Sequence, residues 1–208
     1  MGEIEERITE IIDKNRDKII AFAEDIFRHP ELGFKEERTA EKTAEILASL
    51  GLESRRGLAL TGLKAKVAGG GGEGPAVAIL GELDAVRTLA HPQSDPRTGA
   101  AHACGHHAQL AAMVGAAIAL SDPEVRKRLC GTAVFFAVPA EEYGEIEFKQ
   151  SLLEAGKIGF LGGKPELIRL GEFEDIDLAI SHHANFAGEP RISVGSGSSN
   201  GFIGKRVR

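Results

Sequence analysis

A thiol and three imidazoles lie close together in the segment AAHACGHHAQLAA, residues 100–112. Cys104 and His106 come directly before residues 108–120, whose small apolar side chains predict a helix. A cysteine in this position can be an inert buried thiol beside surface histidines. It can also be a metal ligand, because the N-terminus of a helix favours the thiolate. The rest of the sequence has to decide between these two interpretations.

Polar side chains also follow three apolar, strand-like runs. The runs AVAIL, TAVFFAVP and DLAIS are followed, respectively, by Glu82 with Asp84, by Glu141 with Glu142, and by His182 with His183. Ligands of open α/β sheets bind beyond the carboxyl ends of the strands, so we expect these pairs to converge with Cys104 and His106. Taken singly, the glutamates can be a solvated helix start and the histidines can be surface or core residues. Their joint placement favours a functional site.

Imidazole, carboxylate and thiolate form a ligand set that suits Zn²⁺ best, with Mn²⁺, Co²⁺ or Ni²⁺ as alternatives. Glu82 and Asp84 flank a leucine and share one face, and carboxylates that close together need a cation. The adjacent Glu141 and Glu142 can supply one ligand and one base. The residues therefore predict a metal centre with a general base. A cysteine hydrolase that uses Cys104 with a histidine stays open as a weaker alternative.

The composition sets the class of protein. The chain has 208 residues, of which 42% are hydrophobic and 27% charged, as in an ordinary globular protein. Its net charge of -6 disfavours nucleic acid and acidic membranes as partners. The charged start does not resemble a signal peptide, the longest apolar run is too short for a bilayer, and two cysteines make no disulfide framework. We therefore expect a cytoplasmic protein.

Helices alternate with apolar strands, which predicts an α/β sheet with helices on its faces. The predicted helices are residues 3–28, 36–50, 108–120, 148–155 and 165–170, and the predicted strands are residues 63–68, 76–84, 132–139, 177–181, 191–195 and 201–208. The glycine tract at residues 69–72 predicts a hairpin loop rather than a phosphate cradle, since no Lys-Ser/Thr pair follows it.

The motifs HACGHH, PAEE, GELDAV and RHPELGF together resemble the metal-dependent amidohydrolase branch of the aminoacylase and carboxypeptidase superfamily of zinc exopeptidases. Hippurate hydrolases and auxin-conjugate hydrolases belong to this branch. The resemblance implies a zinc-exopeptidase-like mixed sheet flanked by helices. It also implies that residues 1–208 are the N-terminal portion of a catalytic domain, truncated before the lid domain, so that the lid and the C-terminal catalytic segment are absent.

The same resemblance implies a ligand set for two divalent ions. Cys104 matches the ligand that bridges both ions, and His106 matches a ligand of the first. Glu142 matches a ligand of the second ion. His183, rather than His182, matches the histidine ligand after the DLAIS strand. The family brings one further histidine from the part that resumes after the lid, so we expect this chain to hold at most one ion tightly.

Catalytic roles follow from the resemblance as well. Glu141 matches the general base, and Asp84 matches the carboxylate that orients the site. The implied reaction is hydrolysis of an amide bond in an N-acyl amino acid or small peptide. Because ligand and lid groups are missing, we expect poor hydrolysis or none, so a metal-binding but inactive fragment is the second interpretation. We also expect exposed apolar area and self-association, and His107 or His182 as the first candidates for a substitute ligand.

Overall fold

The computed structural model describes residues 2–184, in which helices pack on both faces of a five-stranded sheet. The helices are α1 (Glu3–Lys14), α2 (Arg16–Arg28), α3 (Glu37–Ser49), α4 (His106–Leu120), α5 (Pro123–Arg128), α6 (Ile146–Glu154) and α7 (Gly163–Arg169). The strands are β1 (Ser54–Leu58), β2 (Gly62–Ala68), β3 (Ala76–Glu82), β4 (Val86–Arg87), β5 (Ala100–Ala101), β6 (Thr132–Val138) and β7 (Leu178–Ile180). None of these helices has the length and hydropathy needed to span a bilayer.

The main sheet has the order β1-β2-β6-β3-β7. The pairs β1–β2 and β2–β6 are antiparallel, and the pairs β6–β3 and β3–β7 are parallel. The predicted α/β fold with a mixed sheet is thus confirmed. Because β3, β6 and β7 run in parallel, their carboxyl ends lie at one edge, and the polar pairs that follow them are brought to that edge.

Strand β6 explains how the core divides. Its residues are almost entirely apolar and buried, which is typical of a strand covered on both faces. Phe135 packs with the cluster that contains α2, α3 and α4, whereas Phe136 packs with the cluster that contains Leu152 and Leu167 of α6 and α7. Successive side chains of a strand point to opposite faces, so one apolar strand joins two core layers.

The helix α4 is the part of the fold that carries the first histidine of the site. It is apolar all round because it lies between β3 on one side and α1 and α2 on the other. Its N-cap residue Gly105 has φ +95°, a left-handed conformation that glycine adopts without steric cost. Gly81 of β3 allows close packing, since a Cβ there would lie 2.9 Å from Leu110 Cδ1.

One predicted helix is corrected by the structure. The predicted helix at residues 3–28 is two helices, α1 and α2, which meet at Asn15. The Asn15 side chain donates to Ile11 O at 2.8 Å, so it competes with the helical backbone for that acceptor. The predicted strands at residues 191–195 and 201–208 lie outside the described residues.

The glycine tract is not a hairpin loop. Strands β2 and β3 do not pair with each other, because β6 lies between them. The tract instead packs on the loop that leads into β6: Gly69 N donates to Gly131 O at 2.9 Å, and Gly71 N donates to Leu129 O at 3.0 Å. A local turn signal does not reveal that a distant strand enters between its two flanks.

Candidate metal centre

Three ligand groups from separate parts of the chain meet at the edge of the sheet. Cys104 precedes α4, His106 is the first residue of α4, and His183 follows β7. One ligand atom from each lies within 4.8 Å of the others, and Cys104 Sγ is 3.1 Å from His183 Nε2. Their convergence was predicted from the strand ends and the helix start. Sulfur and two imidazole nitrogens are donors that suit Zn²⁺.

The two histidines present unprotonated nitrogens to this cluster when their rings are neutral. His106 Nδ1 lies 2.8 Å from the carbonyl oxygen of Asp84, and His183 Nδ1 lies 2.7 Å from that of Ala184. A carbonyl oxygen only accepts, so each Nδ1 donates and each Nε2 retains its lone pair. This is the tautomer in which a histidine binds a metal through Nε2.

The surroundings of His106 Nε2 test whether a cation fits. This atom is 2.8 Å from Glu82 Oε2 and 3.9 Å from Glu142 Oε1. The close contact with Glu82 lacks hydrogen-bond alignment, and among the described residues His106 Nε2 and Glu142 Oε1 are buried without a hydrogen-bond partner. A lone pair that faces carboxylate oxygens is repelled unless a proton or a metal ion lies between them. The donor set and its unpaired atoms therefore fit a divalent cation.

The pKa values express the same surplus of negative charge. Although burial opposes it, hydrogen bonding to Asp84 and the negative charges of Asp84 and Glu82 raise the pKa of His106 to about 11. Burial, and then Glu142, raise the pKa of the Cys104 thiol to about 11. Burial and the neighbouring carboxylates therefore oppose the thiolate that a helix N-terminus favours. A bound cation would favour the thiolate instead.

Glu141 lies at the open side of the cluster. Its Oε2 is 3.9 Å from His106 Nε2, and its side chain is 37% exposed. Glu82, His106 and Glu141 form a second group of ligand atoms within 4.8 Å of one another. Burial, and then the charge of Glu82, raise the pKa of the Glu141 carboxyl. A carboxylate in this position can exchange protons with a reacting group.

Asp84 connects the two acidic loops. It is fully buried, its carbonyl and Oδ1 face His106 Nδ1 at 2.8 and 3.4 Å, and its Oδ2 accepts from Glu142 N at 2.9 Å. It thus fixes both the imidazole ring and the backbone of Glu142 without facing the cluster itself. This is the position predicted for an orienting carboxylate.

Two residues that the sequence analysis did not single out, Gln109 and Lys164, also shape the site. Gln109 links two strand ends: Glu82 N donates to Gln109 Oε1 at 2.6 Å, and Gln109 Nε2 donates to His182 O at 2.7 Å. Lys164 of α7 contacts Glu82, and its Nζ is 4.0 Å from Glu141 Oε1. Gln109 is one helical turn after His106, a spacing that places both on one face and could have indicated it. No comparable signal marks Lys164.

The remaining histidines of HACGHH and of the segment after β7 are His102, His107 and His182. They do not belong to the cluster of Cys104, His106 and His183. His107 packs against Phe27, with ring centroids 4.8 Å apart, and against His102 at 5.3 Å. His102 is buried, and both of its ring nitrogens lack a hydrogen-bond partner among the described residues. Neither His107 nor His182 belongs to either group of ligand atoms found within residues 2–184.

Comparison with known proteins identifies the relatives of this chain. A scan against models of protein families finds no match. The chain is 32% identical over 195 residues to one subunit of the p-aminobenzoyl-glutamate hydrolase of Escherichia coli, a match that covers 90% of this chain and 37% of that protein. It is 29% identical over 183 residues to an N-acyl-L-amino acid amidohydrolase of Geobacillus stearothermophilus, covering 86% and 44%, respectively. The chain thus spans about two fifths of the length of these relatives.

A solved structure with a similar fold belongs to the same kind of protein as these relatives. The YXEP protein of Bacillus subtilis, a dinuclear metal-binding peptidase of the M20 family, matches 80% of this chain and 42% of its own with a TM-score of 0.63 and 26% identity. The fold and the relatives define the class: the chain is a segment related to amidohydrolases and peptidases. More narrowly, it is homologous to the M20-family amidohydrolases, and the resemblance predicted from the sequence is confirmed.

Proposed function

We propose that the protein hydrolyses an amide bond in an N-acyl amino acid or small peptide with the help of a divalent metal ion. The observation that carries the proposal is the cluster of Cys104, His106 and His183, whose ligand atoms lie within 4.8 Å of one another beside Glu141 and Glu142. Homology to amidohydrolases supports the same reaction class.

Cys104, His106 and His183 would hold one ion, and Cys104 with Glu142 would contribute to a second. Zn²⁺ fits the thiolate and imidazole donors best, with Mn²⁺, Co²⁺ or Ni²⁺ as alternatives. When bound, a cation here would polarise the scissile carbonyl and lower the pKa of water. Three protein ligands suffice for a zinc site and two leave a weak one, so we propose one tightly held ion per chain.

Glu141 is the proposed general base. Its carboxylate would accept a proton from the attacking water and deliver it to the nitrogen of the leaving amine, which balances the hydrolysis without further groups. Its partial exposure lets a substrate reach it, and Lys164 lies near enough to hold the carboxylate in place. Asp84 would keep His106 in the required tautomer through the contact with Nδ1.

The proposed substrate class follows from the relatives, both named for the hydrolysis of acylated amino acids. A net charge of -6 supports a small molecule rather than nucleic acid or a membrane surface as the partner.

The free thiol proposed as a ligand supports a reducing, cytoplasmic location. Within residues 2–184, β7 lies at the edge of the sheet, and its Leu178 and Ile180 are 56% and 51% exposed, which supports self-association into a homo-oligomer.

The experiment is hydrolysis of N-acetyl and N-benzoyl amino acids by the purified chain, with added Zn²⁺ and with a chelator. Slow release of the amino acid that stops in the chelator is the expected result, since the chain is proposed to hold only one ion tightly. Zinc binding without any release would instead favour a metal-binding but inactive chain. Release that persists in chelator would favour a cysteine hydrolase, the alternative to which the 3.1 Å contact between Cys104 Sγ and His183 Nε2 gives some support.

A further inference from the structure

The segment ELGFKE, residues 31–36, lies under the candidate site without contributing a ligand. It joins α2 to α3 and lies beside the residues that come directly after β3. Ala85 N donates to Glu31 O at 2.8 Å, and Leu32 forms a parallel bridge with Ala85. The segment is therefore attached to the loop that carries Asp84.

The same segment reaches the loop that carries Glu141. Ala140, the residue before Glu141, has φ +47°, a left-handed conformation that is unfavourable for alanine and persists only where the surroundings impose it. Ala140 N donates to Glu36 Oε1 at 2.7 Å, and Ala140 O accepts from Gly163 N at 2.9 Å. Both polar groups of this strained residue are thus held by other parts of the chain.

Glu36 is an unusual residue for this purpose. It is fully buried, and its second oxygen accepts from Thr61 Oγ1 at 2.6 Å. A buried carboxyl is costly unless its hydrogen bonds are met, so its presence away from the ligand cluster calls for a role. Burial, and then the charge of Asp84, raise the pKa of Glu36 to about 7.

The far side of the turn is held as well. Lys149 of α6 is 1% exposed, and its Nζ donates to the carbonyl oxygen of Glu142. Gly33 lies between Ala140 and Lys149, where a side chain would have little room. A Cβ at this position would lie 3.0 Å from Ala140 Cα and 3.2 Å from Lys149 Nζ. The turn from Ala140 to Glu142 is therefore held on both sides by hydrogen bonds, with Glu36 and with Lys149, and neither of these residues belongs to the ligand cluster.

We propose that Glu36 is a positioning residue, which holds Ala140 in its left-handed conformation and thereby directs Glu141 at the metal centre. The proposal rests on the proposed function for the role of Glu141. It assigns to the ELGFKE segment the task of setting the two acidic loops, those of Asp84 and Glu141, at a fixed distance from each other.

The test compares Glu36→Met, which removes both acceptor oxygens at similar length, with Thr43→Val. Thr43 is a matched control, because it is buried in α3 and its Oγ1 donates to Thr39 O at 2.7 Å, away from the turn. In Glu36→Met we expect the amides of residues 140–142 to exchange hydrogen about 10- to 100-fold faster than in the wild type, as for a lost hydrogen bond to a charged group. Thr43→Val should leave those amides unchanged.

The functional readout is hydrolysis of an N-acyl amino acid by the zinc-loaded chain. Misplacement of the base should lower kcat by up to about 100-fold, while KM and zinc content stay at the wild-type values. Thr43→Val should lower neither. If Glu36→Met does not fold, Gly33→Ala presses on Ala140 with the carboxylate intact, and the same two changes are expected from it.

Unchanged exchange at residues 140–142, or an unchanged kcat, in a folded Glu36→Met chain would overturn the proposal. If that variant does not fold, the same result in Gly33→Ala would overturn it. Absence of turnover in the wild-type chain contradicts the proposed activity alone, and hydrogen exchange then decides whether Glu36 holds the turn.

Discussion

The seam between β3 and α4 is expected to tolerate no additional methyl group at Gly81. This seam sets the distance between Glu82, at the end of β3, and His106, at the start of α4. In Gly81→Ala the new Cβ would meet Leu110 Cδ1 at 2.9 Å and Leu110 Cα at 3.1 Å. The second of these is backbone, so a side-chain rotation cannot relieve the contact. Helix α4 has to move away from the sheet.

The magnitude follows from the contact and from a matched variant on the same helix. Overpacking of this kind costs about 1–3 kcal/mol of unfolding free energy. Gly115→Ala also adds one methyl group, on α4 itself, but its Cβ would meet Ile19 Cδ1 at 3.4 Å and Ile12 Cδ1 at 3.5 Å, ordinary contact distances. Replacing a mid-helix glycine should then stabilise the chain by about 0.5–1 kcal/mol.

Urea unfolding followed by circular dichroism measures both changes, and zinc titration measures their effect on the site. We expect Gly81→Ala to unfold at lower urea and to bind zinc more weakly than the wild type. Gly115→Ala should unfold at higher urea and bind zinc as the wild type does. Equal stability of Gly81→Ala and the wild type would refute the close packing of β3 on α4.

Three further outcomes are expected. In a full-length relative, the substitution that corresponds to Glu141→Gln should abolish turnover while zinc content survives, because a base is lost but no ligand is; loss of zinc would show that the roles of Glu141 and Glu142 are exchanged. His106→Asn should raise the Kd for zinc at least tenfold by isothermal titration, whereas His107→Asn should not, since only His106 belongs to the cluster. Hydrogen bonding to Lys66 and a second lysine lowers the pKa of Asp175 to about 2. Its contribution to stability is therefore present above about pH 4 and lost as the pH falls toward 2. Because the side chain is 47% exposed, Asp175→Asn should cost only about 0.5–1 kcal/mol at pH 7 and little at pH 2, measured by urea unfolding.

Much of the fold could be predicted because its buried elements appear in the sequence as continuous runs of apolar residues. The apolar run of β6 and the small apolar residues of α4 indicate elements covered on all sides. Strand β1, with the sequence SRRGL, lies at the sheet edge and has no such pattern, so it was not predicted. The position of β6 between β2 and β3 depends on pairing between distant segments, which local turn signals do not contain.

The site divides along the same line. Residues that follow strands, such as Glu141 and His183, could be predicted because the chain direction in parallel strands brings their ends together. The sequence does not distinguish Glu36, Lys149 and Lys164 from solvated surface groups, and Glu36 stands within the charged run KEER, residues 35–38. Their partners lie far along the chain, and only the folded structure brings them to the acidic loops.

The zinc content of the purified chain, set against that of Cys104→Ser, tests the central claim most directly. Cys104 contributes the only sulfur in the two ligand groups found within residues 2–184, so its loss leaves the first ion with two protein ligands. Elemental analysis after dialysis against trace zinc should give one ion per wild-type chain and close to none for the variant. Equal zinc in the two proteins, or none in either, would contradict a metal centre built on Cys104.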